Sequence, residues 1–204
     1  MHRPIPHEFF DREALIVAQD LLGKFLVREY NDHAWSLMVT EVETYDGPED
    51  RLSPAYGGRK DHNETLFAKA GSVHISQRVN KETLTNYFTA TEAIDSARPI
   101  LHIVTGPKDY PAAILIRSAL VMLPTGEIEH IQGPAELTRF LKIGKEFDGT
   151  HATKESGLWF EDRDVSIPAE HIIKRKRIGA EHAEEWSDLE YNFSIIISQN
   201  KSLT

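Results

Sequence analysis

Between Asp11 and Gly23, apolar residues recur at Ala14, Leu15, Val17, Ala18, Leu21 and Leu22, the three-and-four spacing of a helix with one buried face. Asp11 is placed to cap its start and Gly23 to end it. From Lys24 the pattern changes to strand alternation over Lys24–Glu29 and Trp35–Thr44, with Asn31 and Asp32 as the turn between them. Period-two alternation predicts that Leu37, Val39, Glu41 and Glu43 share one face of the second strand, and Met38, Thr40, Val42 and Thr44 the other. A face that begins apolar and ends in two carboxylates is costly unless the charges are used. That is the first hint of a site.

Residues Tyr45–Lys60 are rich in Gly, Pro and Asp and read as a loop. Strands follow at Leu101–Thr105 and Ala112–Leu120 around the turn GPKDYP. Pro134 opens a helix carrying Leu137, Phe140 and Leu141, a residue suited to a first helical turn. Short strands are expected near Leu158–Phe160, Ile172–Ile178 and Tyr191–Ser198. The chain lacks repeats, low-complexity tracts and an obvious linker, and it lacks the regular strand–helix alternation of a doubly wound sheet. The sum is an α+β protein: a single mixed α/β domain, 1–204, with hairpins.

At 204 residues and 40% hydrophobic content the chain can bury a real core. No apolar run reaches the ~18 residues needed to cross a bilayer, and the start, MHRPIPHEFFDRE, has no apolar stretch of the kind a signal peptide needs. The absence of cysteine excludes disulfides and thiolate metal sites. A cytoplasmic monomer is the expectation, nucleoid-associated if bacterial. Charge complicates the picture: 23 Lys and Arg against 32 Asp and Glu give −9, which repels a polyanion at long range. Any nucleic-acid binding must come from local patches.

The segment EVETYDGPEDRLSPAYGGRK is the most specific stretch. It resembles the signature of the alkyladenine (3-methyladenine) DNA glycosylase family, where a strand ending Glu-x-Glu-x-Tyr runs into a Gly-Pro-x-Asp loop and a Gly-Arg pair. DLLGK in the opening helix, Leu66-Phe67, IVTGP, AAILIR ending at Arg117, Gly133-Pro134, SGLW at Ser156–Trp159 and RIG at Arg177–Gly179 match in the same order, so the resemblance covers most of Phe9–Phe193. It implies a curved, mainly antiparallel sheet with hairpins and flanking helices. It also implies hydrolysis of the N-glycosidic bond of alkylated or deaminated purines, such as 3-methyladenine or hypoxanthine, in base-excision repair. The partner would be double-stranded DNA carrying a damaged purine, flipped out of the stack before it can be reached. Glu43 matches the general base that activates the attacking water and steadies positive charge on the sugar. Arg117 and the backbone carbonyl of Ile178 match the groups that hold that water, and Tyr45 the aromatic that stacks on the base. Arg59, of the Gly-Arg pair, and Lys176 are the candidate contacts to the DNA. No cofactor, no metal and no membrane are implied.

The departures from the family pattern are concentrated on base and duplex engagement. Pro54 stands where a base-recognising histidine is usual. His74, Ser76 and Val79 occupy the places of a tyrosine-rich hairpin that stacks on the base and wedges into the duplex. His102 replaces an asparagine, and Glu136 replaces a phosphate-facing lysine. About Lys81 to Pro99 is extra, making 72–101 an altered hairpin and insertion region, and Thr83–Ala97 reads as a helix or as a remodelled hairpin tip offering Tyr87 and Phe88. Lys174–Arg177, the one dense basic run, reads equally as a phosphate-binding edge beside Ile178 or as a charge-protected strand edge. Asp61, His62 and Glu64 with His74 and His102 lack an established metal-ligand spacing. Three readings stay open: a working glycosylase, a non-catalytic or engineered protein on that scaffold that has lost base flipping, and a hydrolase using the Glu43 pocket on a free nucleoside or other small molecule.

Overall fold

The computed structural model of the chain describes residues 2–78, 98–180 and 183–197. Val79 and the Thr83–Ala97 stretch lie outside the described residues. After the short strand β1 (Arg3–Pro4), helix α1 (Ala14–Leu21) buries Ala14, Val17, Ala18 and Leu21, one continuous stripe at helical spacing. Its N-cap is Glu13, without a side-chain cap, so Asp11 does not fill the expected role. Gly23 follows at φ +80°, and a Cβ there would sit 2.9 Å from Ile167, which requires glycine.

Strands β2 (Phe25–Tyr30) and β3 (His33–Asp46) form a hairpin with Tyr30 opposite His33. Asn31 and Asp32 both adopt positive φ, 50° and 59°, as a two-residue turn matched to strand twist demands. Strands β4 (Val73–Arg78), β5 (Arg98–Thr105), β6 (Ala112–Met122) and β7 (Ile128–Gln132) follow, then α2 (Pro134–Phe140), β8 (Leu158–Asp162), β9 (Ile172–Arg175) and β10 (Asn192–Ile195). The β6–β7 hairpin was not foreseen. Among the described residues all ten strands join one curved antiparallel sheet, in the order β1-β8-β2-β3-β6-β5-β4, with β7 beside β6 and β10 between β3 and β9. This is the α+β architecture that the sequence implied.

Two strands have divided edges. One edge of β3 pairs with β2 over residues 33–38 and with β10 over 41–43. The far edge of β6 pairs with β5 over 112–115 and with β7 over 118–122. At the same level the β3–β6 pairing is irregular: Val39 faces Ala119, Glu41 faces Ser118 and Val42 faces Ile116, so Thr40 and Arg117 drop out of register. The apolar core takes Leu37, Val39 and Val42 from β3, and Ile114, Ile116, Ala119 and Val121 from β6. Its positions step by three rather than two across the bulge. The expectation that Glu41 and Glu43 share a face with Leu37 and Val39 is therefore corrected. A bulge reverses the alternation, leaving Leu37 and Val39 in the core and turning both carboxylates to the opposite side.

Candidate active site

The divided edges bring three strands together around Glu43, whose side chain is 1% exposed. From the neighbouring loop, the Ile178 N–H donates to Glu43 Oε1 at 2.8 Å, and from β10 Asn192 Nδ2 donates to the same oxygen at 3.2 Å. Arg117 Nη1 of β6 donates to Oε2 at 3.3 Å, and the Tyr45 hydroxyl at 3.2 Å. Glu41 lies beside it, accepting from Arg117 Nε at 3.1 Å, Asn192 Nδ2 at 2.8 Å and Ser118 Oγ at 2.9 Å. Two carboxylates thus share one guanidinium, and of the three groups Glu43 and Arg117 line the cavity while Glu41 does not.

Burial first, then the charge of Glu43, raises the Tyr45 hydroxyl well above its usual range, so it remains a donor. The loop carrying Ile178 is anchored by Arg177, which is buried in an ion pair with Asp50, its Nη2 2.9 Å from Oδ1. Arg177 Nη1 also donates to the Thr44 carbonyl at 2.9 Å, and its guanidinium lies over the rings of Tyr45 and Tyr191. Strand β9 ends at Arg175, short of the expected Ile178, because Arg177 turns inward to Asp50. That corrects the reading of Lys174–Arg177 as one basic edge: Arg177 is internal.

A cavity of about 670 Å³ opens over this cluster, within the size range of small-molecule sites. It is lined by Glu43, Tyr45, Pro54, His74, Ser76, His102, Arg117 and Ile178, which gathers every expected catalytic and base-contacting residue into one place. Tyr45, His102 and His74 form a row with ring centroids 5.8 and 5.5 Å apart. Both imidazoles are almost wholly buried. Burial, reinforced by neighbouring His74, pushes His102 down to about 3, so it stays neutral. His74 is also lowered, burial outweighing the opposing pull of Asp148. Its Nδ1 approaches Asp148 Oδ1 to 3.3 Å without settling into a hydrogen bond. Among the described residues, no group of three His, Asp or Glu is arranged to hold a metal ion.

The expected DNA contacts fall elsewhere. Arg59 is engaged by Glu64 and Asp109, and Lys176 Nζ lies 2.6 Å from Asp188 Oδ1 at the surface. Val79 is outside the described residues. Glu136, at the start of α2, pairs with Arg139 and lies 3.6 Å from Arg98, so its charge is locally offset.

Sequence reasoning missed Asn192, Ser118, Asp148 and the role of Glu41. Asn192 pairs directly across from Glu43, a neighbour relation between strands 149 positions apart that periodicity does not carry.

The methylpurine-DNA glycosylase family matches the chain over residues 8–199. A Streptomyces avermitilis protein named "Putative 3-methyladenine DNA glycosylase" is 34% identical over 165 residues, 76% of this chain and 70% of its own length. Proteins of the same name from Clostridium perfringens and Carboxydothermus hydrogenoformans are 29% and 30% identical, covering 92% and 93% of this chain and 93% of each relative. No helix among the described residues is long and apolar enough to cross a membrane.

Proposed function

Because this chain belongs to the methylpurine-DNA glycosylase family, we propose that it hydrolyses the N-glycosidic bond of damaged purines in duplex DNA, with Glu43 as general base. The observation that carries this reading is the convergence of Glu43, Arg117, Tyr45 and the Ile178 backbone at the wall of one cavity, roomy enough for a purine nucleotide. In this mechanism the flipped nucleotide enters the cavity and a water displaces one of the long contacts on Glu43 Oε2. Glu43 takes a proton from that water as the water oxygen bonds to the sugar carbon and the bond from that carbon to the purine nitrogen breaks. The base leaves with the electron pair and, where it was neutral, takes a proton from solvent. Arg117 and the Ile178 carbonyl orient the water, and the Ile178 N–H keeps the carboxylate aimed. The negative charge of Glu43 steadies the oxocarbenium-like sugar in the transition state. Tyr45 lies against the base. Both neutral purines such as hypoxanthine and alkylated ones such as 3-methyladenine are candidate substrates.

A second reading, a non-catalytic protein on this scaffold that has lost base flipping, is favoured by Pro54 and Ser76 at the cavity wall in place of base-recognising side chains. One assay separates the two. Under single-turnover conditions, a duplex with one hypoxanthine or one 3-methyladenine is expected to lose the base, and Glu43→Gln is expected to slow that loss at least ~100-fold, the lower end of what a general base contributes. Excision unchanged in Glu43→Gln would remove the assignment of Glu43. Tight binding of the lesion duplex with no excision by the wild type would establish the second reading instead.

A further inference from the structure

We infer that Glu41 is a positioning residue for the Glu43 chemistry: it holds Arg117 and Asn192 back from Glu43, so that a water can reach the carboxylate. The inference rests on the proposed glycosylase function. All four lone-pair positions of Glu43 are engaged, by Ile178, Asn192, Arg117 and Tyr45. A carboxylate has about four such positions, so a water gains access only where a contact gives way.

The distances show which contacts those are. Ile178 holds Oε1 at 2.8 Å, whereas Asn192, Arg117 and Tyr45 stand at 3.2, 3.3 and 3.2 Å. Two of these three weak donors make a closer contact to Glu41, Asn192 at 2.8 Å and Arg117 at 3.1 Å through Nε. Charge-assisted hydrogen bonds of this kind are ordinarily ~2.7–2.9 Å long. The long contacts on Glu43 are therefore those of a carboxylate competing with a second acceptor. Glu41 is itself pinned by Ser118 Oγ at 2.9 Å, which the bulge turns to the same side as Arg117. Nothing in the water-activation scheme requires this second carboxylate. Its place in the network accounts for the spacing of the first Glu in Glu-x-Glu, two residues ahead of the base on the same face.

Without the negative charge of Glu41, Arg117 and Asn192 close onto Glu43 and leave it saturated. Misplacement of reacting groups by an ångström is enough to slow chemistry ~100-fold. In Glu41→Gln, single-turnover excision is accordingly expected to fall about 10- to 100-fold, while the affinity for the lesion duplex stays within about twofold. A merely structural role would lower affinity and thermal midpoint together with the rate.

The decisive measurement is a double-mutant cycle with Arg117→Gln. If Glu41 acts through Arg117, adding Glu41→Gln to Arg117→Gln slows excision far less than it slows the wild type. Ser118→Ala, which removes only the pin on Glu41, is the milder second variant and is expected to lose rate in the same direction. Fully multiplicative losses, or wild-type rates in both Glu41→Gln and Ser118→Ala, would overturn the inference and leave the glycosylase reading intact. A wild-type protein that excises nothing would overturn both.

Discussion

His102 offers the sharpest test of how the cavity wall is built. Burial holds this imidazole neutral, bringing it from 6.5 to about 3 in the folded protein. In the unfolded chain it titrates near its ordinary value, so below pH 6.5 the unfolded state binds a proton that the folded state refuses. A group lowered on folding contributes stability that is complete above its unfolded value and is lost as pH falls toward the folded one. Each pH unit in that window removes about 1.4 kcal/mol, so at pH 5 the protein is expected to be about 2 kcal/mol less stable than at pH 8 from His102 alone. His74 acts in the same direction, and so does His130, more weakly because it is partly exposed. The lowered carboxylates Glu161 and Asp162 contribute only at more acid pH. Asp46, raised first by burial, acts in the opposite direction to the histidines, so the difference between wild type and variant, not the wild-type slope alone, isolates His102.

The perturbation is His102→Asn, which removes the titrating group while keeping a polar side chain of the kind the family resemblance places there. Urea unfolding at pH 8, 6.5, 5.5 and 5 gives the stability at each point. The wild type should lose stability across the series, and the variant should lose about 2 kcal/mol less than the wild type. The unpartnered His74 Nδ1 beside Asp148 remains in both proteins, so the difference between them reports His102. A flat wild-type profile, or an undiminished slope in the variant, would refute the claim that His102 is held neutral in this wall.

Two predictions concern the scaffold. Asp50→Ala strands the buried guanidinium of Arg177 and removes the acceptor for the Asp46 and Leu52 amides, so urea unfolding should show a loss of about 3–5 kcal/mol; a loss below 1 kcal/mol would refute the importance of that pair. Asp32→Gly places glycine where the β2–β3 turn already holds positive φ and should raise the thermal midpoint, by up to about 1 kcal/mol in stability; a fall would mean that Asp32 makes a contact worth more than the strain it relieves.

The sequence was most legible where local rules decide. The spacing of Ala14, Val17, Ala18 and Leu21, the Asn31-Asp32 turn and Pro134 at a helix start each specify their element without help from the rest of the chain. Around Glu43 the resemblance supplied the residues, and the cavity gathers them, but the periodicity placed the carboxylates on the wrong face. The reason is physical. A bulge leaves no mark in a run such as VTEVET, since Thr40 and Val42 are equally acceptable in a regular strand.

What requires the bulge is a relation among β3, β6 and β10. Glu41 and Glu43 are tolerable inside the protein only if Arg117, Ser118 and Asn192 meet them, and Arg117 and Ser118 are consecutive residues that regular alternation would send to opposite faces. Thr40 and Arg117 fall out of register at the level where the outer edges of β3 and β6 pass from one partner strand to another. The irregularity thus lets Arg117 and Ser118 both meet Glu41 and turns the carboxylates away from the apolar core. A chain with a regular β3–β6 ladder could keep every residue of the motif and still bury its carboxylates in the apolar core, where they would be unpaired and useless. The motif supplies the carboxylates, and the break in pairing is what gives Glu43 its place at the cavity wall rather than in the core.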